Sequence, residues 1–108
     1  MLSKDSRISK PSEFYKIKKL GTTIKSDNFS IKYIKNQDST KVSFIVSKLV
    51  TPVSPKRNKL KRIFRALFRE LNPDLKSYLV VYPKITSLKI NYNLLKEELT
   101  AVLDKIKG

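Results

Sequence analysis

The chain contains no cysteine and no histidine, only two glycines, and 9 acidic residues against 24 basic ones in 108 positions. Without cysteine there is no disulfide and no thiol nucleophile. Without both residue types there is no Cys/His zinc site, and without histidine there is no imidazole base. The nine carboxylates offer no convincing acid–base pair: Glu97 and Glu98 are adjacent and so diverge on a helix, while Asp27 and Asp38 read as turn residues. No Walker loop, Ser or Thr nucleophile motif or metal-ligand cluster is present, so no catalytic residue is expected on this chain. No run approaches the roughly 18 apolar residues of a membrane span. The opening MLSKDSRISK lacks the apolar stretch of a signal peptide. The missing cysteine suits a reducing compartment, and the cytoplasm is the expected location.

What the chain has is positive charge, a formal +15, on a sequence that is 40% hydrophobic and so apolar enough to fold. Its length suits a single domain, residues 1–108, with one modest core. Charge of this size repels itself, and a polyanionic partner relieves that repulsion. Nucleic acid is the first candidate and an anionic membrane the second. The arginines sharpen the choice: four of the five fall between Arg57 and Arg69, in SPKRNKLKRIFRALFRE, while the lysines are scattered throughout. At roughly 100° per residue, Leu60, Ile63, Phe64, Leu67, Phe68 and Leu71 share an arc of about 140°. Arg57, Lys61, Arg62, Arg65 and Arg69 fill the neighbouring arc, with Asn58 near its middle and Glu70 the one acid. Ordinary solvated faces mix signs; this one barely does, which favours an anion-binding face. Ser54 is the expected N-cap, with Pro55 at the first helical position, and Asn72-Pro73 the stop.

Residues 1–12 read as a basic arm. Ser12 is then expected to cap a short helix from Glu13 to Leu20, with Phe14, Ile17 and Leu20 as its apolar stripe and Gly21 as its closing residue. Phe29, Ile31 and Tyr33 alternate with Ser30 and Lys32, and across the turn 36–39 Val42, Phe44 and Val46 alternate with Ser43, Ile45 and Ser47. The period of two predicts an antiparallel pair of strands with one buried face. A short extra strand is expected near Thr22–Ile24. Tyr78-Leu-Val-Val-Tyr82 is continuously apolar, as in a strand covered on both faces. Asn91 caps a last helix with Tyr92, Leu95, Leu99, Val102, Leu103 and Ile106 buried. The order is α-β-β-(β)-α-β-α, an α+β sandwich with helices packed on a small mixed sheet.

In that order the segments resemble the protein component of bacterial ribonuclease P. SRISKPSEFYKIKKLG is similar to the family's opening, and VSFIVSK, residues 42–48, to its strand ending in Ser-Lys. Arg57-Asn58-Lys59-Leu60-Lys61-Arg62-Ile63-Phe64-Arg65, followed by Phe68, resembles the family's Arg-Asn-Arg helix. Tyr78-Leu-Val-Val resembles the next strand, and Asn91-Tyr92 with Leu99 the entry to the last helix. Lys59 stands where the family usually has its second arginine, keeping charge but not the bidentate fork. Lys18 and Lys32 stand at positions that often carry aromatics, and the loop before the basic helix lacks the family's glycine.

The resemblance implies a fold like the second domain of ribosomal protein S5, with the basic helix in a left-handed β-α-β crossover. It implies a ribonucleoprotein that removes the 5′ leader of precursor tRNA, with chemistry performed by the RNA subunit. Mg²⁺ is then held mainly by RNA, with none bound by protein side chains alone. The implied partners are the catalytic RNA and the precursor leader, with no membrane and no obligate protein partner. RNA contact is assigned to Arg57, Asn58, Lys59, Lys61, Arg62, Arg65 and Arg69. Phe14, Lys18, Lys32, Ser47 and Lys48 are candidates for a leader cleft between the first helix and the sheet, Phe14 either stacking on a base or belonging to the core. A structural, ribosomal-type RNA-binding protein is the alternative. A membrane-surface binder is a third reading, opposed by the commitment of the basic helix's apolar stripe to the core.

Overall fold

The most apolar strand takes the inside of the sheet. The computed structural model describes Ile8 and residues 10–107, so most of the expected basic arm lies outside the described residues. The elements are α1 (Pro11–Leu20), β1 (Thr22–Lys25), β2 (Phe29–Ile34), β3 (Lys41–Phe44), α2 (Ser54–Leu71), β4 (Tyr78–Pro83) and α3 (Tyr92–Lys107). The strands lie in the order β1-β2-β4-β3. β4 pairs antiparallel with β2, Ile31 opposite Val81, and parallel with β3, Val42 opposite Leu79. The helix-strand order is the expected one and the sheet is mixed, but the expected antiparallel pair of 29–33 with 42–46 does not form. Alternation tells which face a strand buries, not which strand lies beside it. β4 separates the two because its side chains are apolar on both faces, and an inner position satisfies both.

The two faces of the sheet are covered differently. Phe29, Ile31, Val42, Leu79 and Val81 point toward α2 and α3, where Phe64, Leu67, Phe68, Leu95, Leu99 and Ile106 complete the main core. Phe29 meets Phe64 edge-on with ring centroids 5.4 Å apart, and Phe44 meets Phe68 at 5.6 Å. On the other face, Val80 packs with Ile17 and Ile8, with Phe14, Ile34 and Tyr78 partly buried around them. Lys41 braces this layer: its Nζ lies 2.7 Å from Glu13 and 5.3 Å from the Tyr78 ring centroid.

Helix ends depart from expectation by a residue or two. α1 begins at Pro11 rather than after Ser12, because proline at the first position has no N–H to satisfy. The Glu13 carboxylate then reaches back to the Lys10 N–H at 3.3 Å. Of the expected stripe, Ile17 is buried and Phe14 half-buried, but Leu20 is 67% exposed. A wheel gives the direction of a side chain and not the point along the axis at which cover ends. Gly21 keeps an ordinary extended backbone, φ −73° and ψ 156°. It is glycine for room: a Cβ would collide with the Ile17 carbonyl oxygen and lie 3.1 Å from that of Tyr33. In α2 the capping position is Val53, with Ser54 already helical, while Asn72 closes the helix in the left-handed region at φ 41°. Asn91 caps α3 as expected, its Oδ1 accepting the Asn93 N–H at 2.8 Å. Tyr92 leaves the expected stripe; it is 39% exposed and its hydroxyl donates to Glu70.

One carboxylate fastens α3 to the β1–β2 turn. Glu98 accepts from the Ser26 hydroxyl at 2.5 Å, the Asn28 N–H at 3.0 Å and the Asn28 side-chain amide at 2.6 Å. Burial pushes its pKa up, but these hydrogen bonds, with Lys84 nearby, outweigh burial and hold it below the ordinary 4.5. A depressed folded-state pKa contributes stability that is complete above the unfolded value and is lost as pH falls through the folded one. Thermal melts below pH 4.5 are therefore expected to show the native chain losing more stability than Glu98→Gln, whose melting point starts lower at neutral pH. Parallel loss in both would remove Glu98 from the acid response.

Candidate nucleic-acid interface

α2 owes its position to Leu60, Phe64, Leu67 and Phe68, all 1% exposed or less. Burying that stripe turns the other arc to solvent. Lys56, Lys59, Arg62 and Arg69 are exposed, and Lys61 and Arg65 half-exposed. Among the described residues, no side-chain hydrogen bond or ion pair engages Asn58, Lys59, Lys61, Arg62, Arg65 or Arg69. Their donors are open to a partner, and a row of unpaired cations fits phosphate oxygens by charge and, for arginine, by shape. The helix's one acid is turned away: Glu70 accepts from Lys96 at 2.7 Å and Tyr92 at 2.9 Å, both on α3. The Lys96 and Tyr92 hydrogen bonds hold its carboxyl below the usual glutamate range.

Arg57 differs from its neighbours. Its guanidinium donates to the Thr51 carbonyl at 3.0 Å and to the Ser54 hydroxyl at 2.7 Å, so two of its five donors already brace the preceding loop. Spacing alone grouped it with Arg62 and Arg65. Its place in the first turn, beside a loop with carbonyls to satisfy, was the available signal that it differs.

The five cleft candidates fall in two places. Phe14 packs beside Ile8, Ile17 and Val80 while remaining half-exposed, so it belongs to the core and keeps part of its ring open. Lys32 projects from the α1 face of β2, and its Nζ donates to the Lys18 carbonyl at 2.7 Å, satisfying an end group of α1. That hydrogen bond brings Lys32 to the Lys18 backbone. Ser47 and Lys48 lie apart from these, on the exposed turn after β3.

The strand register shows what joins the two places. Ser30 lies opposite Tyr82, Lys32 opposite Val80, and Ser43 opposite Val80 from the other side. All share the α1 face of the sheet. α1 covers the end marked by Ile34, Tyr78 and Val80, leaving Tyr82 and Ile45, 37% and 38% exposed, at the other end. Burial pushes the Tyr82 hydroxyl pKa up. An open strip thus runs from Lys32 past Ser30, Tyr82 and Ser43 toward Ser47. Tyr82 is not among the residues the sequence singled out because the continuous apolar run reads as wholly buried; only its parity with Val80 marks it as facing this strip. Among the described residues no cluster of three or more carboxylates stands where a metal ion is held.

Comparison with known proteins agrees with this geometry. The Ribonuclease P family matches residues 2–107. The chain is 32% identical over 111 residues to the ribonuclease P protein component of Pseudanabaena sp. (strain PCC 6903), covering 99% of this chain and 96% of that one. It is similar in structure to the RNase P protein of Thermotoga maritima, at 25% identity and a TM-score of 0.80 over 94% of this chain and 98% of the other. The Staphylococcus aureus RNase P protein gives 25% identity and a TM-score of 0.79 over 94% and 95%. A helix whose Arg62, Arg65 and Arg69 have no side-chain partner among the described residues, in this α+β frame and with this end-to-end match, places the chain in the ribonuclease P protein family.

Proposed function

We propose that this chain is the protein subunit of a ribonuclease P ribonucleoprotein that removes the 5′ leader of precursor tRNA, with the bond cleavage performed by the RNA subunit. The observation that carries this reading is the face of α2 on which Arg62, Arg65 and Arg69 stand without side-chain partners among the described residues. In this role Lys59, Lys61 and the three arginines bind phosphates of the catalytic RNA, and the unengaged Asn58 amide reaches a base edge or ribose. Mg²⁺ is held mainly by the RNA. The leader lies along the strip beside α1, between Phe14, Lys18 and Lys32 at one end and Ser47 and Lys48 at the other. The partners are then two RNAs, with no obligate protein partner, and the compartment is the cytoplasm. No helix among the described residues is long and apolar enough to cross a membrane.

The test is reconstitution. The purified chain, added to a bacterial ribonuclease P RNA at low Mg²⁺, is expected to restore leader cleavage of a precursor tRNA. Cleavage left unchanged, with RNA binding retained, would point instead to a structural RNA-binding protein of ribosomal type. In the same complex, changing Phe14, Lys18 and Lys32 together separates the leader assignment from the rest: affinity for precursor tRNA should fall while that for mature tRNA holds.

A further inference from the structure

The loop between β3 and α2 holds an apolar side chain out into water. Leu49 is 97% exposed, more than any other large hydrophobic among the described residues. The loop around it is tied down. Ser47 closes a tight turn by accepting the Leu49 N–H on its hydroxyl at 3.2 Å and the Val50 N–H on its carbonyl at 3.1 Å. On the return limb Thr51 is buried, 6% exposed, and its Oγ1 accepts the Val53 N–H at 3.3 Å. The Arg57 guanidinium then clamps Thr51 and Ser54 from the first turn of α2. Val53, 44% exposed, stands at the base of this knuckle.

The chemistry of an occupant follows from the surroundings. Lys48 precedes the leucine, and Lys56, Arg57 and Lys59 follow. No Asp or Glu occurs anywhere between Asp38 and Glu70. A partner must therefore be anionic and yet offer an apolar surface at the point where Leu49 lands. Nucleic acid has both, as phosphates and as the faces of unstacked bases, and apolar side chains seat against such faces or wedge between base steps. A lipid surface also has both, but one leucine and a half-exposed valine make a small membrane anchor, since the apolar stripe of α2 is buried in the core. The loop also runs directly into the cationic helix, so RNA lying along α2 passes the knuckle.

We infer that Leu49 is an apolar wedge that seats against an unstacked base of the RNA docked on α2, and that Arg57 is a positioning residue that holds the wedge in place. This rests on the RNA-binding reading of α2 and adds to it a contact of a different physical kind. A phosphate contact releases counterions and sets the salt slope; an apolar contact releases none and shifts affinity equally at every salt concentration.

The experiment titrates the full chain with a bacterial ribonuclease P RNA over a range of salt. Leu49→Ala is expected to bind about five- to tenfold more weakly throughout, with the slope unchanged; the side chain is exposed, so the melting temperature stays put. Arg57→Lys keeps the charge and loses the fork, and it should bring most of the same loss. Adding Leu49→Ala to it should then cost little more, whereas a merely structural Arg57 would leave the two losses additive. Leu49→Ala binding as tightly as the native chain overturns the wedge, whatever Arg62→Ala and Arg65→Ala do. Those two variants report separately on the helix. Loss of binding to phosphatidylglycerol vesicles in Leu49→Ala, with RNA affinity intact, would also overturn the inference and assign the knuckle to lipid.

Discussion

Replacing Arg62 and Arg65 together by alanine is expected to lower affinity for a ribonuclease P RNA by roughly 25- to 60-fold at about 0.1 M salt. Each lost phosphate contact removes about 0.7 to 0.9 from the slope of log K against log salt, depending on how helical the RNA is. Two contacts, extrapolated from about 1 M, give that range. The helix itself should survive, because both side chains point away from the core and alanine is the better helix former. Arg57→Ala supplies the internal control. Its guanidinium already serves Thr51 and Ser54, so its removal should change the slope less than either of the other two. Equal slopes for the native chain and the Arg62/Arg65 pair would move the RNA surface off α2. The measurement is a set of binding isotherms at four or more salt concentrations, with circular dichroism to confirm the fold.

Phe64→Ala should be the most damaging single change to stability, at about 3–5 kcal/mol. Phe64 is fully buried and stacks edge-on against Phe29, so its ring joins α2 to the inner part of the sheet. Small domains are stable by only about 5–15 kcal/mol, so such a loss leaves a substantial unfolded population at moderate temperature. Urea unfolding followed by circular dichroism reads it directly. Phe44→Ala, whose ring is only partly buried against Phe68, should lose clearly less. A loss below about 1.5 kcal/mol at Phe64 would mean that the core closes over the gap, and that α2 is held by its other contacts.

The contrast between these residues shows how much was legible in advance. The cationic face of α2 could be read from the chain because eighteen consecutive helical residues repeat the 3.6-residue period many times, so phase errors average out. The same holds for Leu95, Leu99, Val102, Leu103 and Ile106 in α3. What could not be read depends on partners distant in sequence. Strands β2 and β3 each announced a buried face, yet nothing local says that β4 lies between them. Leu20 and Tyr92 fit their stripes in angle but sit at helix ends, where cover runs out. Arg57 carries the same charge as Arg62, and only the loop folded beside it changes its work. Leu49 looked like one hydrophobic residue among many, since exposure is a property of the assembled chain.

The parallel pairing of β3 with β4 has a further consequence for how the molecule is built. Two neighbouring parallel strands cannot be joined by a tight turn; the chain must travel the length of the sheet and return. Here the return path runs through α2, so the inner strand cannot complete its ladder until the segment that carries the cationic residues has crossed back over the sheet. Chain closure over so long a segment is entropically slow. A completed sheet therefore requires that the segment bearing the charged surface has already been brought across it.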